Sequence, residues 1–561
     1  MRDGKLVAFA EEERFIRIKG AAMRFPAKAL AYCLKEADAT LDAVDRLAVG
    51  WNAEKYVVGM PLFFLRQGVR HLGIASDGSH GRILNEIFEQ RPKAIARRMG
   101  LALREAGISG RLPELVFVDH HLAHAASAYL ASGFDRSSVL VLDGSGEQRS
   151  TSLYAATGLR IEDMGGVDLP DSLGWFYAAI TAFLGFRPYE EEGFTMGLAP
   201  YGKLRPEWTE KMAAMLSFHG ASGYRVDPQY TLLGRHTQHE HFSDQLMRLL
   251  GQPRLPTDPL SQDHKDLALA AQTRLEEAVL RIVKALVERT GHRSLCVAGG
   301  VGLNCKMNGV IAASGLVDRL FVQPASHDSG TALGAALWVS SQSGEDPRFV
   351  MSHAQWGPGY SADDAERAAR VAGLRFTRPA DIEKTAADAL AKGLVVAWFN
   401  GRMEVGPRAL GGRSILANPA LPGMNDRVNR DVKFRDAWRP FCPSFLSEAV
   451  FDYLEPSLET RFMTVAAQAK PKAMSEVKAV IHVDGSTRPQ AVNAKDQPSY
   501  ARLIREFASK TGVPLVLNTS LNVKGEPVAC APMDAIRCFY SSGIDAMALD
   551  GVWLTKDGDL P

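Results

Sequence analysis

LVVAWFNGRMEVGPRALGGRSILANP, Leu394 to Pro419, joins a short apolar run to a segment that is rich in glycine and arginine. The run LVVAWF is typical of a buried strand. In the segment that follows it, Arg402, Arg408 and Arg413 lie among glycines in a loop-like pattern. Guanidinium groups beside exposed backbone N–H groups form a site for a phosphate or another planar anion. The alternative is a glycine-rich connector with solvated arginines, and composition alone does not decide between the two.

Strand-like and helix-like patterns alternate on both sides of this stretch. The strand-like runs before it are LVAFA, RLAVGW, ELVFVD, SSVLVLD, SLCVAG and RLFVQP, and helical runs such as AKALAYCLKEA separate them. The strand-like runs after it are AVIHVDG and PLVLNTS. This alternation predicts an α/β fold with substantial parallel sheet.

A polar stretch that is rich in glycine and proline lies between the two parts, at residues 341–359. Such composition predicts a domain boundary. We therefore expect a larger domain over residues 1–350 and a smaller, separate α/β domain over residues 351–561.

The composition excludes several classes of protein. The chain has 561 residues, of which 46% are hydrophobic and 23% charged, so it can fill large globular cores. With 65 basic and 64 acidic residues it lacks the charge of a nucleic-acid-binding protein. Its six cysteines are scattered without a C-x-x-C pair, which indicates a reducing compartment. With no signal peptide and no membrane-length apolar run in the sequence, we expect a cytoplasmic enzyme without a membrane partner.

The clearest metal-binding pattern is HHLAHAASAY, residues 120–129. His120 and His124 are four residues apart, so both imidazoles would project from one face of a helix. His121 and His124 form a competing pair three residues apart. Two imidazoles suit Fe, Zn, Cu or Ni. A structural or capping role for these histidines is the alternative.

Two carboxylates could complete such a site. Asp143 ends the apolar run VLVLD and is followed by Gly144, a pattern that also fits a simple β-turn. Asp328 precedes a helix of small residues, where it is either an ordinary N-cap or a ligand. As a ligand, Asp328 would give a His/His/Asp set with open positions, which is closer to Fe(II) than to a closed structural zinc site.

Three further segments have weaker signals. In SLCVAGGVGLNCKMN, Gly299 and Gly300 precede the polar Asn304, and such glycines allow a nucleotide to approach the backbone closely. The acidic run at residues 190–192 suggests a solvated or ligand-facing loop. The histidine-dense HTQHEH, residues 236–241, is expected to be a surface loop.

The expected second domain has several polar and cationic segments besides the arginine loop. They supply Lys433, Arg435 and Arg439, then His482, Asp484 and Arg488, and finally Asn518, Ser520 and Asn522. With Arg408 they would form a polyanion pocket. In it arginines act as bidentate forks, lysine as a point charge, and hydroxyl and amide groups as orienting groups.

Together these motifs, and MEVGPRALGGRSIL above all, resemble the O-carbamoyltransferases of the nodulation and antibiotic-tailoring type over nearly the whole chain. The resemblance implies an N-terminal Kae1-like domain of the actin/Hsp70/sugar-kinase fold and a smaller C-terminal YrdC-like domain. It implies that carbamoyl phosphate and ATP, with Mg, form carbamoyl-adenylate in the YrdC-like domain. The Kae1-like domain then transfers the carbamoyl group to a hydroxyl of a small molecule, such as a sugar-bearing natural product or antibiotic. A homodimer is left open.

The resemblance also implies residue roles. The residues of carbamoyl phosphate and ATP activation would be Arg408, Lys433, Arg488 and Ser520, with Met463, Asn518 and Asn522 beside them. The metal, Fe(II) or another divalent ion, would be held by His120, His124, Asp143 and Asp328. Lys19 would lie at the transfer site. The nucleotide-binding part of the transfer domain would include Gly144, Gly299, Gly300 and Asn304.

One departure from the family concerns the start of the chain. Family members usually begin with a strand and a G-x-x-H-D-A-S-A-A-L-like segment before the part that corresponds to DGKLVAFAEEERF. That segment carries the family's candidate general base, a histidine, and the first strand of the sheet. We therefore expect either a misassigned start or an impaired final transfer, with adenylate formation unaffected.

Three other functions fit the same motifs less well. In tRNA threonylcarbamoylation the two domains are normally separate proteins, and the near-zero net charge argues against a tRNA surface. Hydrogenase maturation would need acylphosphatase and zinc-finger C-x-x-C segments, which the sequence lacks. An inactive or regulatory nucleotide-binding protein of the sugar-kinase fold is the non-enzyme alternative.

Overall fold

A computed structural model describes residues 1–21, 24–59, 89–231 and 241–556 of the chain. Its contacts divide the chain into two compact units. The first unit comprises Met1–Leu6 and Ala37–Val350, and the second comprises Val7–Glu36 and Met351–Pro561. This division differs from the predicted domains only in the segment 7–36, which packs with the second unit. We call this segment the N-terminal arm.

Nine strands are described in the first unit: β1 (Arg46–Val49), β2 (Glu114–Phe117), β3 (Arg136–Leu142), β4 (Arg149–Thr157), β5 (Arg160–Asp168), β6 (Leu216–His219), β7 (Gly223–Val226), β8 (Ser294–Ala298) and β9 (Arg319–Val322). The main sheet has the order β5-β4-β3-β8-β9. Strands β3, β8 and β9 are parallel, whereas β4 and β5 are antiparallel to their neighbours. Because β3 and β8 run in parallel with Val141 opposite Ala298, their C-terminal turns lie side by side.

Eighteen α-helices are described: α1 (Glu12–Ile16), α2 (Ala27–Glu36), α3 (Pro92–Glu105), α4 (His120–Tyr129), α5 (Leu173–Phe183), α6 (Glu192–Leu198), α7 (Pro206–Met215), α8 (Asp244–Leu250), α9 (Gln262–Thr290), α10 (Cys305–Ala313), α11 (Ser329–Gln342), α12 (Ala362–Val371), α13 (Ile382–Ala391), α14 (Met424–Arg427), α15 (Val450–Tyr453), α16 (Pro471–Glu476), α17 (Pro498–Thr511) and α18 (Pro532–Tyr540). The longest, α9, has a Ser261 capping box and ends at Gly291 in the left-handed conformation. No helix of the described ranges is long and apolar enough to span a bilayer.

Helices α4 and α11 pack tightly against each other in the first unit. A Cβ on Gly334 of α11 would lie 1.7 Å from the carbonyl oxygen of Ala123 on α4. Glycine is therefore required at this crossing, because any side chain would push the helices apart. This contact sets the distance between His124 on α4 and Asp328 at the start of α11.

The second unit contains the other nine strands: β10 (Val396–Phe399), β11 (Arg413–Ala417), β12 (Cys442–Leu446), β13 (Ala467–Gln468), β14 (Ser486–Thr487), β15 (Gln490–Val492), β16 (Leu515–Ser520), β17 (Ala546–Leu549) and β18 (Val552–Thr555). Seven of them form one sheet of order β15-β12-β16-β11-β10-β17-β18. Its buried apolar strands, with Trp398 and Phe399 on β10, form the core of the unit.

The α/β class is confirmed, but two predicted strands are wrong. LVAFA, which runs into the N-terminal arm, pairs with no strand among the described residues; its backbone instead contacts the second unit where the N–H of Phe9 donates to the carbonyl of Trp356. AVIHVDG forms a short 3-10 turn, Lys478–Val480, and a β-turn. Val480 is buried although it lies in no β-sheet, so the apolar residues here resembled a strand in the sequence.

Candidate functional site

The turn after β3 fixes the carboxylate of Asp143. Its Oδ1 accepts the N–H of Gly144 at 2.8 Å and that of Gly300, in the neighbouring turn after β8, at 3.1 Å. Gly299 has φ +91°, and a Cβ there would lie 2.1 Å from the carbonyl oxygen of Leu142. The glycines therefore let two strand ends approach closely, and Asp143 spans them.

The four predicted metal ligands come together in the first unit. One ligand atom from each of His120, His124, Asp143 and Asp328 lies within 4.8 Å of the others. Asp143 Oδ2 is 3.0 Å from Nε2 of His120 and 3.4 Å from Nε2 of His124. Asp328 Oδ1 is 3.7 and 3.8 Å from the same two nitrogens. We call these four residues the His/Asp cluster.

Backbone groups orient His120 within this cluster. Its Nδ1–H donates to the carbonyl of Gly50 at 2.9 Å, so Nε2 is the nitrogen that faces the carboxylates. The N–H of His120 donates to the buried carboxylate of Glu147 at 2.9 Å. Neither Gly50 nor Glu147 was predicted as a site residue, because their roles depend on contacts that are distant in sequence.

Asp328 is placed at the N-cap position of α11, but its side chain makes no capping hydrogen bond. It is 79% exposed, whereas the side chains of His120 and His124 are 6% and 0% exposed. The cluster thus has a buried histidine side and an open carboxylate side, through which a ligand can reach it.

The charges in the cluster stabilise one another. Burial disfavours a charged His120, but its hydrogen bond to Asp143 and the charge of Asp328 raise its pKa to about 10. Burial would also raise the pKa of Asp143, but its contacts with His120 and His124 hold that pKa well below its usual range. A buried imidazolium–carboxylate pair between His120 and Asp143 thus contributes to the stability of the cluster.

The competing pair of His121 and His124 is wrong as a ligand set. The Nδ1 of His121 lies 2.8 Å from the hydroxyl of Ser152, away from the cluster. Burial lowers the pKa of His121 to about 3, so this ring is neutral. His121 is a buried core histidine with a hydroxyl partner.

The residues of the cluster fit a divalent metal ion. Both ring nitrogens of His124 are buried; Nδ1 has no hydrogen-bond partner among the described residues, and Nε2 approaches Asp143 and Asp328 only to 3.4 and 3.8 Å, without hydrogen-bond geometry. Such an orphaned imidazole is costly without a ligand. Two imidazoles and two carboxylates form a donor set that suits Fe(II) or Zn(II).

Asn304, predicted to bind a nucleotide, is engaged by the protein. Its Oδ1 accepts the N–H of Met307 at 3.0 Å and so caps α10. Its amide also exchanges two hydrogen bonds with Gln272, at 2.9 and 3.0 Å. Gln272 in turn accepts the hydroxyl of Tyr177 at 2.7 Å. This network lies between α5, α9 and the turn after β8.

Four predicted segments meet at one edge of the seven-stranded sheet in the second unit. The parallel strands β12 and β15 begin at this edge, just after Arg439 and Arg488. Strand β16 is antiparallel to both β12 and β11, so it ends there with Ser520, and β11 begins there after the Arg408 loop. Strand order and direction thus bring together side chains that are more than 100 residues apart in sequence.

Lys433 lies at the centre of this edge and is 6% exposed. Its Nζ donates to the carbonyls of Ser520 and Asn522 at 2.8 and 2.7 Å, and to Asn522 Oδ1 at 2.8 Å. Burial, together with the charges of Arg435 and Arg439, lowers the pKa of Lys433 to about 7. It follows a π-helical turn, Val428–Val432, a local irregularity that is frequent at functional sites.

Arginines concentrate positive charge beside Lys433. Burial lowers the pKa of Arg435 to about 9, with the charges of Arg439 and Arg488 as further causes. Arg435 is held by Asn429 Oδ1 at 2.6 Å and lies 4.5 Å from the centre of the Phe441 ring. Clustered guanidinium groups repel one another, and a bound polyanion would relieve that repulsion.

Asn518 positions the Arg408 loop. It is 2% exposed, and its amide donates to the carbonyl of Ala409 at 3.0 Å and to the hydroxyl of Ser444 at 2.9 Å. The neighbouring carbonyl of Leu410 accepts from Gln490 at 2.8 Å. The backbone next to Arg408 is therefore fixed from the sheet.

The expectation that the backbone N–H groups of this loop face a ligand is wrong for its C-terminal half. The N–H groups of Leu410, Gly412 and Arg413 donate to one carboxylate oxygen of Glu404, at 2.6, 3.1 and 3.2 Å. Glu404 is 2% exposed and acts as an internal cap for the loop. A single glutamate in a loop shows no periodic pattern, so the sequence gave no signal for this role.

Two of the three loop arginines are structural. Arg413 is fully buried, donates to the carbonyls of Gly401 and Pro358 at 3.0 Å, and lies 3.5 Å from the centre of the Phe399 ring. Arg402 donates to the carbonyl of Trp356 at 2.7 Å. Arg408, which lies between them, stays the predicted anion-binding arginine of this loop.

Three predicted positions lie elsewhere. Met463 is buried with φ +55°, a left-handed conformation that is unusual for a side chain of its size. Lys19 is exposed on a 3-10 turn of the N-terminal arm and so belongs to the second unit, whereas the His/Asp cluster belongs to the first. The predicted surface loop at residues 236–241 lies, except for its last residue, outside the described residues.

Comparison with known proteins gives two family matches. Residues 1–337 match the family described as carbamoyltransferase N-terminus, and residues 387–556 match carbamoyltransferase C-terminus. The uncharacterized protein sll1178 of Synechocystis is 35% identical, over 99% of this chain and 94% of that protein. The nodulation protein NolNO of Sinorhizobium fredii is 34% identical, over 99% of this chain and 78% of that protein. The crystal structure of T. kodakarensis HypF matches 50% of this chain and 43% of that chain at a TM-score of 0.24 and 14% identity, too low to support an argument.

Proposed function

The chain belongs to the carbamoyltransferase family, and from this premise we propose how its two units share the reaction. The second unit, as a YrdC-like domain, activates carbamoyl phosphate with ATP to give carbamoyl-adenylate. The first unit, as a Kae1-like domain, transfers the carbamoyl group to a hydroxyl of a small molecule, such as a sugar-bearing natural product.

The atom balance of activation requires one water molecule. Water converts carbamoyl phosphate to carbamate and phosphate. A carbamate oxygen then attacks the α-phosphorus of ATP, and the bond to the β-phosphate breaks to release pyrophosphate. In the transfer step the acceptor oxygen attacks the carbamoyl carbon, AMP leaves, and the hydroxyl proton passes to a base.

The observation that supports the activation step is the convergence of cations at one edge of the second unit's sheet. Both substrates are polyanions, and negative charge shifts onto the departing pyrophosphate. Lys433, Arg488 and Arg408 would stabilise that charge, since preorganised donors in a buried site act strongly on a transition state. The hydroxyl of Ser520, which here donates to Asn522 Oδ1 at 2.6 Å, would turn toward a phosphate oxygen and orient it.

The His/Asp cluster supports the second step. His120, His124, Asp143 and Asp328 would hold a divalent ion, which when bound acts as a Lewis acid toward phosphate oxygens. Gly50 and Glu147 orient His120 for this role. The nucleotide of the adenylate would lie near the glycine turns after β3 and β8, as the resemblance to the family implies.

Carbamoyl-phosphate-dependent exchange of labelled pyrophosphate into ATP tests the proposal. The full chain should incorporate label only when carbamoyl phosphate and Mg are both present, since the label enters through reversal of adenylate formation. Acetyl phosphate serves as the control substrate. Folded protein without exchange would eliminate the proposal and favour a non-catalytic nucleotide-binding protein.

For the metal site, we expect the purified chain to hold about one divalent ion and His120→Ala or His124→Ala to retain less than about a tenth of it. His121→Ala is the matched control, because His121 is equally buried on the same helix but outside the cluster. Elemental analysis of the three variants measures this. Equal metal content in the His124→Ala and His121→Ala proteins would contradict the assignment.

A further inference from the structure

The N-terminal arm reaches the Arg408 loop through two charged side chains. Glu11 Oε2 accepts the N–H of Gly406 at 3.0 Å. Arg14 donates through one guanidinium nitrogen to the carbonyl of Gly406 at 2.7 Å and to Glu11 Oε2 at 2.8 Å. Both hydrogen-bonding groups of Gly406 are thus held by one ion pair, two residues before Arg408.

This ion pair is buried. The side chains of Arg14 and Glu11 are 4% and 3% exposed. Burial opposes the charge of Arg14, but the carboxylates of Glu11, Glu13 and Glu404 raise its pKa. Removing Arg14 would leave the buried carboxylate of Glu11 without this cation, whereas removing Glu11 would leave Arg14 paired with Glu13, whose Oε1 lies 2.9 Å from its Nε.

The ion pair complements the contacts that hold the rest of the loop. Glu404 binds the N–H groups of Leu410, Gly412 and Arg413, and Asn518 binds the carbonyl of Ala409. These contacts all lie after Arg408. Glu11 and Arg14 hold the backbone before it, so Arg408 lies between two anchored points.

We propose that Glu11 and Arg14 are positioning residues for Arg408 and thereby determine how well the second unit binds and activates carbamoyl phosphate. The inference rests on the proposed function of that unit. It assigns the EEERF segment of the arm to the activation step, whereas the sequence placed that segment with the transfer domain.

The arm has other attachments to the second unit, which should keep it in place when the ion pair is altered. Arg17 donates to the carbonyls of Val528 and Pro527 at 2.6 and 2.8 Å. The N–H of Phe9 donates to the carbonyl of Trp356. Substitutions at Glu11 or Arg14 should therefore displace the loop without detaching the arm.

The test uses Glu11→Gln, Arg14→Met and Arg14→Lys in the full chain. Asp545→Asn is the matched control for Glu11→Gln, because Asp545 also accepts one backbone N–H, from Val395 at 2.6 Å, and one arginine, Arg427 at 2.7 Å. Asp545 precedes β17 at the opposite edge of the same sheet. It therefore reports the effect of losing an ion pair with the same kinds of hydrogen bond, more exposed than the Glu11–Arg14 pair, that does not contact the loop.

We expect Arg14→Met and Glu11→Gln to lower kcat/KM for carbamoyl phosphate in the exchange assay by about 10- to 100-fold, mainly through KM. KM for ATP should change less. Arg14→Lys should recover part of the loss, since lysine keeps the charge and one donor. Asp545→Asn should lower the melting temperature without changing KM.

Amide hydrogen exchange provides a readout that does not depend on activity. Peptides that cover residues 404–413 should exchange at least about 10-fold faster in Arg14→Met, and at the wild-type rate in Asp545→Asn. Unchanged protection of this loop in Arg14→Met, or an unchanged KM in an active enzyme, would overturn the inference. If the loop of Arg14→Met shows faster amide hydrogen exchange but the wild-type chain does not incorporate pyrophosphate into ATP, the positioning role is supported and the proposed function is rejected.

Discussion

Replacing Lys433 with methionine is expected to lower carbamoyl-phosphate-dependent pyrophosphate exchange by about 100- to 1,000-fold. The ammonium is the cation at the centre of the site, and it also holds the carbonyls of Ser520 and Asn522. The substitution removes both the charge and this bridge. Arg408→Ala should cause a loss of the same order through charge alone. Initial rates at saturating ATP measure both effects.

The pKa of Lys433 gives this prediction a pH signature. With a pKa of about 7, the side chain is a cation below that pH and loses its charge as pH rises through it. In the wild-type chain, kcat/KM for carbamoyl phosphate should therefore fall above about pH 7. In Lys433→Arg the descending limb near pH 7 should disappear, because a guanidinium stays charged.

Lys392→Met is the control for the Lys433 variants. Lys392 is exposed and lies before β10, at the edge of the sheet opposite the site. Its replacement should leave the exchange rate within about twofold of wild type. Comparable exchange rates in the Lys433→Met and Lys392→Met proteins would contradict the assignment of Lys433 to the activation site.

Gly334→Ala is expected to disrupt the first unit and its metal site together. The added Cβ would lie 1.7 Å from the Ala123 carbonyl oxygen and 2.8 Å from the Ser127 backbone nitrogen, so α11 must move away from α4. Overpacking of this kind costs about 3 kcal/mol of unfolding free energy. The displacement also separates Asp328 from His124, so metal affinity should fall at least about 10-fold.

Metal content and the thermal unfolding midpoint measure the two consequences of Gly334→Ala. The control is Gly193→Ala on α6, where an added Cβ meets no atom within 4 Å and alanine is the better helix former. It should leave the metal content unchanged and should not lower the unfolding midpoint. A Gly334→Ala protein with wild-type metal content would show that the helix crossing does not set the ligand spacing.

Local patterns in the sequence predicted much of the first unit's architecture. The parallel strands β3, β8 and β9 are continuous apolar runs, and α4 and α9 have clear helical periodicity. Strands β4 and β5 had no such signal. Strand β5 is largely exposed and polar, with the burial pattern of an edge strand. Their antiparallel pairing is a long-range property that periodicity does not encode.

Site residues that belong to a recognisable motif could be predicted from the sequence. Residues whose role depends on contacts with the backbone of a distant segment could not. His120, His124, Asp143 and Asp328 come together as predicted, because strand ends and helix starts gather at one edge of a sheet. The role of Glu404 depends on how the loop folds back on it. Residues such as Glu11 and Arg14 act on a loop nearly 400 positions away, a distance over which no spacing rule applies.

The second unit is discontinuous in sequence, and this has a consequence for protein synthesis. The N-terminal arm leaves the ribosome long before the rest of its unit, which begins at Met351. At about 5 to 20 residues per second, roughly 15 to 60 s separate the two events. During that interval Phe9, which is buried in the finished protein, lacks the neighbours that will cover it. The arm is thus made well before the residues it packs with, and it completes its fold only after the second unit has been synthesised.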